Sequence, residues 1–552
     1  MTRSDPGRRG LSYHPALMSA ERSSSEPESI AIVNARIWTG DDRHRWADAL
    51  LANGDRIAAV GSSAEIMKRA GSARVIDARG KLVVPGFIDS HIHFLAGGFG
   101  LSSVQLRDAK TRQEFSRRIA EFARTKPAGT WIRNGDWDHE LWGGELPRRD
   151  WIDAETPDHP VWINRLDGHM SLANTAALRV AGVTRETADV DGGTIVRDEH
   201  GEPTGILKDN AERLVARAVP PPTANELDHA LDAAMRFVAS HGVTSVHHMG
   251  TWEDLAVFER AHAANRLRTR IYAAVPIHTW ERLAEHVRAT GFGDRWLRIG
   301  GLKGFVDGSL GSHTAAMLDP YDDAPNDRGL FVNSVDDLYA WIKNGDTNGL
   351  HLIVHAIGDL AIKTQLDIYE RVAAENGPRD RRFRIEHAQH LHADDVPRFK
   401  TLGVIASMQP YHAIDDGRWA ERLIGAERAK LTYACRALLD AGARLAFGSD
   451  WFVAPPTPLE GIYAAVTRRT IDGNKPGGWI PEQRIGVEEA LRAYTRDAAY
   501  ASYEDEHTGS LTVGRLADFV MIDRDITRIP PQEIADARVA MTVVGGRPVF
   551  GA

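Results

Sequence analysis

Only one cysteine, Cys435, occurs in 552 residues. An internal disulfide is therefore excluded, a reducing compartment is favoured, and any metal must be held by imidazole and carboxylate rather than thiolate. The sequence has no run of about 18 apolar residues, so no segment reads as a membrane-spanning helix. It has no dense basic stretch either. Lys and Arg number 67 against 76 Asp and Glu, a formal net charge of −9, which argues against a grip on nucleic acid. No internal repeat with a period of roughly 20–50 residues is visible. The first 29 residues are polar and rich in Ser, Pro and Arg, without the apolar stretch of a signal peptide. They predict a floppy tail, and Met18 is as eligible a start as Met1. Together these absences predict a cytoplasmic protein whose partners are neither membrane nor nucleic acid.

What is present is ordinary globular composition, at a length that suits several domains or one large barrel with additions. Residues 30–84 read as short strands and turns: a strand over 30–37, then 48–52 and 56–60 around the hairpin signal Asn53-Gly54-Asp55. The other end has the same texture at 517–523 and 539–544, before Gly545-Gly546. Neither end has enough strands for a core of its own. The economical expectation is one small β-sandwich built from residues 30–84 plus 506–552, with a main domain of residues 85–505 inserted between them. That main domain alternates strands and helices. A capping box from Thr223 to Glu226 opens a helix with Leu227, Leu231, Ala234 and Val238 on one face; Gly242 ends it, and 243–246 follows as a strand. Such alternation predicts a parallel α/β sheet, open or closed into a barrel. Between about 100 and 220 the rhythm breaks. Trp131, Trp137, Trp142, Trp151 and Trp162 crowd there and 192–201 reads as a hairpin, which predicts an inserted subdomain.

Several apolar, strand-like runs end in a residue able to hold a metal. His91 and His93 follow residues 82–88, Lys303 follows 297–302, His355 follows 350–354, His387 follows 382–386 and Asp450 follows 444–449. His-x-His on an extended strand places both imidazoles on one face, where they can share an ion. In a parallel barrel all strand C-termini open on one face, so these distant residues would converge at one mouth. Neutral imidazole suits Zn, Fe, Ni or Mn, and carboxylate oxygen completes the set. Taken singly, each has a plainer reading. His-x-His occurs by chance on polar strands, Gly448-Ser449-Asp450 reads as a helix N-cap, and Lys303 reads as a surface or structural lysine. His169, His247, His248 and His390, among 23 histidines, read as supporting or surface groups. The coincidence of five strand ends with the right donor types favours the metal site.

At these residues the sequence resembles the amidohydrolase superfamily. The matching segments are Pro85-Gly86-Phe87-Ile88-Asp89-Ser90-His91-Ile92-His93, His355-Ala356-Ile357-Gly358-Asp359, Ile385-Glu386-His387, Phe447-Gly448-Ser449-Asp450, and residues 509–518 near the C-terminus. Residues 303–311 and 168–174 are similar to the branch that includes N-substituted formamide deformylase. The resemblance implies an α/β fold, a distorted (β/α)8 TIM barrel with a small β-sandwich from both chain ends and a large insertion after the first barrel strand. It implies a hydrolytic site with one or two divalent metals, zinc foremost. His91 and His93 with Asp450 would hold the first, and His355 and His387 the second. Lys303 stands in the place of a bridging N6-carboxylated (carbamylated) lysine, and His169 in that of a donor to the substrate carbonyl. A hydroxide generated on the metal would attack, and Asp450 would carry the proton to the leaving group. There is one departure. After Ser312 the branch carries arginine, and here His313 stands; a contact to an anionic substrate loses its basis and a neutral substrate is favoured.

Trp137, Phe305, Tyr411 and Trp451 could form an aromatic wall for the substrate, with His313 nearby, or could pack the core. The expected activity is hydrolysis of a non-peptide C–N bond, an amide or an N-formyl or N-acyl group, in a small apolar or aryl molecule. An esterase, lactonase, cyclic amidase, deaminase or decarboxylase on the same scaffold, or a metal-free binding protein, stays open. A homo-oligomer is compatible with all of these.

Overall fold

The structure is a computed structural model that describes residues 29–551. The tail expected over residues 1–29, Met18 included, lies outside the described residues except for Ser29. Eight parallel strands form the central sheet in sequential order. They are β1 (Phe87–Ile92), β2 (Val243–Met249), β3 (Arg270–Pro276), β4 (Leu297–Phe305), β5 (His351–Ala356), β6 (Arg384–His387), β7 (Ile405–Met408) and β8 (Arg444–Phe447). The register sets Phe305 opposite His355 and Ala356 opposite His387. The ring closes just beyond β8, where Asp450 N donates to His91 O at 2.7 Å and His93 N donates to Trp451 O at 2.7 Å. Gly448 permits that approach, because a Cβ there would lie 2.5 Å from His91 N. The sheet is therefore a distorted TIM barrel, its last seam made by loop backbone rather than by a full strand ladder.

The strands are near-continuous apolar runs because both of their faces are covered. Helices sit outside. The capping box at Thr223 is present, with Thr223 N donating to Glu226 Oε2 at 2.7 Å and Glu226 N to Thr223 Oγ1 at 3.3 Å. It opens the helix Ala224–Ser240, which buries Leu231, Ala234, Met235 and Val238. One part of the barrel interior departs from the apolar rule. Arg384, Glu386, Ser90, Ser407 and His247 are all fully buried there and bonded to one another.

Strands from both chain ends interleave in a six-stranded sheet, in the order 547–550, 539–544, 519–522, 82–85, 36–38, 46–47. A second sheet of four strands, in the order 56–61, 49–53, 30–33, 74–77, lies in the N-terminal segment. Ile30, Ile32, Ile37, Leu50, Val83, Phe519 and Val543 belong to one apolar cluster between them. Arg270 of β3 ties this region to the barrel through Asp518, with Nε at 2.6 Å and Nη2 at 3.0 Å from its carboxylate. Two expected continuous strands are broken. The 30–37 run is split at Asn34, which adopts φ 52°. The 82–88 run is split at Gly86, where the chain leaves Leu82–Pro85 in the six-stranded sheet and enters β1. A Cβ at Gly86 would lie 2.2 Å from Thr244 Oγ1 and 2.4 Å from Thr244 Cγ2. Gly86→Ala is therefore expected to cost about 1–3 kcal/mol as overpacking, read as a lower thermal unfolding midpoint with unaltered secondary structure by circular dichroism.

The insertion after β1 carries its own five-stranded sheet, in the order 193–197, 203–209, 170–173, 161–164, 132–133. Residues 192–201, expected to form a whole hairpin, supply the first strand and the turn of its first antiparallel pair, and the return strand is 203–209. Trp137 and Trp151 are buried in its core with Phe115 and Ile163. Among the described residues, no helix is long and apolar enough to cross a membrane.

Candidate metal centre

The sequence-predicted donors meet at the C-terminal mouth of the barrel. His91 lies near the end of β1, and His93 is the N-cap residue of the helix Phe94–Gly100. His91 Nε2 is 3.4 Å and His93 Nε2 3.3 Å from the same atom, Asp450 Oδ1. Asp450 Oδ2 lies 3.9 Å from His387 Nδ1. Lys303, on β4, brings Nζ to 3.2 Å from His91 Nε2. The His355 ring centroid lies 4.5 Å from that of His387. Asp450 does not cap a helix, since the next one starts at Pro458 with Thr457 at its N-cap. Both His387 and Asp450 hold left-handed backbone, at φ 71° and 60°. Such residues persist where the surroundings over-determine them, and they cluster at working sites.

Three of the donor histidines are aimed by a partner. His91 Nδ1 donates to Glu386 in a short contact, which leaves Nε2 as the lone-pair nitrogen. Arg384 clamps Glu386 from the other side, with Nε to Oε1 at 2.8 Å and Nη2 to Oε2 at 2.9 Å. His387 Nδ1 donates to Gln409 Oε1 at 2.7 Å. His355 Nε2 donates to Gly308 O at 2.9 Å, which leaves Nδ1 as its lone-pair nitrogen. Asp89 accepts from His91 N, Ser449 N and Ser449 Oγ, and so pins the end of β1 to the loop after β8.

The electrostatics put His91, His355, His387 and Asp450 in the protonation states a cation needs. Burial first, then the Lys303 charge, pushes His91 well below the usual imidazole range. Burial and neighbouring cations do the same to His355 and His387. Burial works to raise Asp450, but His91 and His93 outweigh it and hold its carboxyl below the usual range. Burial brings Lys303 down to about 8 against the pull of Glu386 and Asp450. Beside the donors, Asp450 Oδ1 and His412 Nε2 are among the atoms buried without a hydrogen-bond partner, as is Asp209 Oδ2. An unmade buried bond costs about 1–3 kcal/mol, and a bound cation would remove that cost. Donor atoms of His91, His93 and Asp450 all lie within 4.8 Å of one another, and so do those of His387, His412 and Asp450. Neutral imidazoles around an ionised carboxylate, with unsatisfied lone pairs, fit a divalent cation.

His169 comes from the insertion. Its Nδ1 donates to Asp209 Oδ1 at 2.6 Å. Burial opposes its charge, but the Asp209 carboxylate prevails and raises the imidazole to about 9. The His169 ring lies 5.1 Å from His355 and 6.4 Å from Phe305. A cleft lined by His169, Leu310, His355, His387, Trp419 and Asp450 opens onto the donors.

The aromatic candidates separate. Phe305 lies 5.2 Å from the His355 ring, with Lys303 Nζ 4.7 Å from its own centroid. Trp451 stacks on Phe237 at 5.3 Å and packs against Gly97, and it is Phe452 that stands 5.7 Å from His93. Trp137 is fully buried and donates from Nε1 to Ile163 O at 3.0 Å within the insertion. His313 pairs with Asp323 at 3.0 Å and with the Tyr321 ring. Tyr411, on the first turn of the helix Pro410–Asp416, has its hydroxyl raised to about 12 by burial. His247, His248 and His390 are buried and bonded to Arg384, to Phe94 N and to Thr432 respectively. Sequence reasoning missed His412, Glu386 and Asp209. His412 follows β7 much as His387 ends β6, so the strand-end rule could have found it; Glu386 lies in the matching segment Ile385-Glu386-His387 without a role read for it, and nothing in sequence marks Asp209.

The profile of the amidohydrolase family matches residues 74–550. Over 98% of this chain and 94% of the other, the sequence is 40% identical to the Arabidopsis thaliana protein LONG AFTER FAR-RED 3. It is 29% identical to the N-substituted formamide deformylase of Arthrobacter pascens, over 95% of this chain and 98% of that one. Among solved structures, an uncharacterized metal-dependent hydrolase from Pyrococcus furiosus aligns with a TM-score of 0.72 at 29% identity, covering 91% of this chain and 100% of that one.

Proposed function

The chain belongs to the amidohydrolase family, and from that premise we propose that it is a metal-dependent hydrolase of a non-peptide C–N bond, an amide or an N-formyl or N-acyl group, in a small apolar or aryl molecule. The observation that carries this reading is the orphaned Asp450 Oδ1, buried at 3.3–3.4 Å from two imidazoles, of which His91 is fixed from behind by Glu386. His91, His93 and Asp450 would hold one cation, and His355 and His387 would face a second. When bound, such a cation, zinc foremost, supplies Lewis acidity that makes water nucleophilic near neutral pH and polarises a carbonyl.

The protein's own groups do the rest. Asp450, kept ionised by His91 and His93, takes a proton from the attacking water and delivers it to the leaving nitrogen. His169, kept protonated by Asp209, donates to the carbonyl oxygen as negative charge develops there. Leu310, Phe305 and Trp419 give the substrate apolar walls. Lys303, buried and lowered to about 8, has a free amine fraction near neutral pH that can add to CO2, releasing a proton and leaving a carbamate directed at the donors.

Turnover of N-formyl and N-acyl aryl amides by metal-replete protein, measured with metal content per chain, tests the whole reading. Stoichiometric metal with release of the free amine is expected. Full metal with no hydrolysis of any amide in the panel would remove the substrate class. Lys303→Ala is expected to weaken cation binding by roughly 10–100-fold or more, measured by elemental analysis after dialysis. Two tightly held metals in that variant would remove the carbamate bridge.

A further inference from the structure

His412 is the second buried orphan of this mouth, and nothing in the proton chemistry above uses it. It sits one turn into the helix Pro410–Asp416, which starts directly after β7. Pro410 at the head of that helix fixes its entry, so the position of the imidazole is set by backbone rather than by a mobile loop. The ring lies nearly parallel to that of His387, at 12° and 6.4 Å between centroids. It is nine-tenths buried. The Ser449 backbone engages it on one side, while Nε2 has no partner at all. Its ligating atom falls within 4.8 Å of those of His387 and Asp450.

The bare His412 nitrogen shares its neighbourhood with Asp450, whose Oδ1 is bare as well, and buried polar atoms of this kind call for a partner. Hydrogen bonding between them would satisfy both, yet the structure shows none. Two orphans that share a third neighbour but not a bond have the geometry of ligands around a common point.

We infer that His412 is itself a metal ligand, joining His387 and His355 at the second cation site on the side of Asp450. This rests on the metal-dependent reading above and assigns the ligands of its second site. An imidazole in place of a water at this position would make the second site tighter and less open to exchange.

The test is cobalt binding to metal-free protein, followed by absorption in the visible d–d region and by equilibrium titration. Wild type, His412→Ala, His412→Phe and His93→Ala are compared. Phe keeps the ring volume, so it guards against a cavity that unfolds the Ala variant, and circular dichroism checks the fold of each. Expected are two cations in the wild type, a loss of more than about 100-fold in affinity for one of them in both His412 variants, beyond what an outer partner costs, and an altered cobalt spectrum. His93→Ala should weaken the other cation instead. Unchanged titration and spectrum in folded His412→Phe would overturn the assignment while leaving the hydrolase reading intact. A wild type that takes up no cation would overturn both.

Discussion

Asp450→Asn is expected to fold normally and to lose turnover by about 10²–10⁴-fold, the usual worth of a positioned acid–base group. The substitution is nearly isosteric, and the amide oxygen can still lie against His91 and His93. What disappears is the charge and the ability to carry a proton. In the native protein two imidazoles hold this carboxyl ionised in spite of its burial. An asparagine there neither accepts the proton of water nor returns it to a leaving nitrogen, so kcat and kcat/KM should fall together, since the lost interaction belongs to the transition state. One ligand also weakens, and activity must therefore be measured at saturating metal, with occupancy determined in the same sample. Near-native kcat at full occupancy would show that Asp450 carries no proton. The left-handed backbone at this residue should persist, because asparagine tolerates it as well as aspartate does.

The barrel was legible because parallel strands covered on both faces are written as apolar runs, and because helices between them announce their starts. Thr223 and Glu226 cap the helix the sequence assigned to them. Breaks within runs were not legible. Residues 30–37 look continuous, but Asn34 turns left-handed and splits them. Residues 82–88 look like one strand, yet the first part pairs with 519–522 and 36–38 while the second opens the barrel. Hydrophobicity alone cannot distinguish one sheet from the next along a chain. The cue was Gly86, whose missing side chain makes room for Thr244, and that need is visible only once β2 is in place.

Within the site, the donors were legible for a geometric reason: each ends a strand, and a parallel barrel sends every such end to one rim. Groups that act on donors rather than on the cation had no such rule. Glu386 stands 295 positions from His91, and Asp209 stands 40 positions from His169. Their roles follow from tertiary contacts that no local pattern encodes. The place of Trp451 was not legible in sequence for a related reason. Trp451 adjoins Asp450 in the chain, but Asp450 turns left-handed and Val453 N closes a turn on Asp450 O; Trp451 packs on Phe237 and its neighbour Phe452 faces His93.

Glu386→Ala should combine a large loss of stability with a loss of metal affinity, and the two effects should be separable. Glu386 and Arg384 are both fully buried. The guanidinium also donates to Ser90 O at 2.5 Å and to Ser407 Oγ at 3.0 Å, and contacts His247 Nδ1 at 3.0 Å, but Glu386 is the only anion bonded to it among the described residues. Removing the carboxylate strands a buried charge, which costs about 3–5 kcal/mol and should appear as a marked drop in the unfolding midpoint of the metal-free protein. His91 meanwhile loses the acceptor that fixes its tautomer, and cation affinity should fall by about 10–100-fold. The double variant Arg384→Met with Glu386→Ala removes the stranded charge, so stability should return to within about 1–2 kcal/mol of native, since apolar replacement of a buried pair is often neutral. Metal affinity should not return with it, because nothing in the double variant orients His91. A cycle of the four proteins, followed by denaturant unfolding and by cation titration, isolates the coupling of the pair from the orientation of the histidine. Parallel recovery of both properties would mean that Glu386 serves the barrel interior alone; recovery of stability without affinity would identify it as the group that aims His91 at the cation.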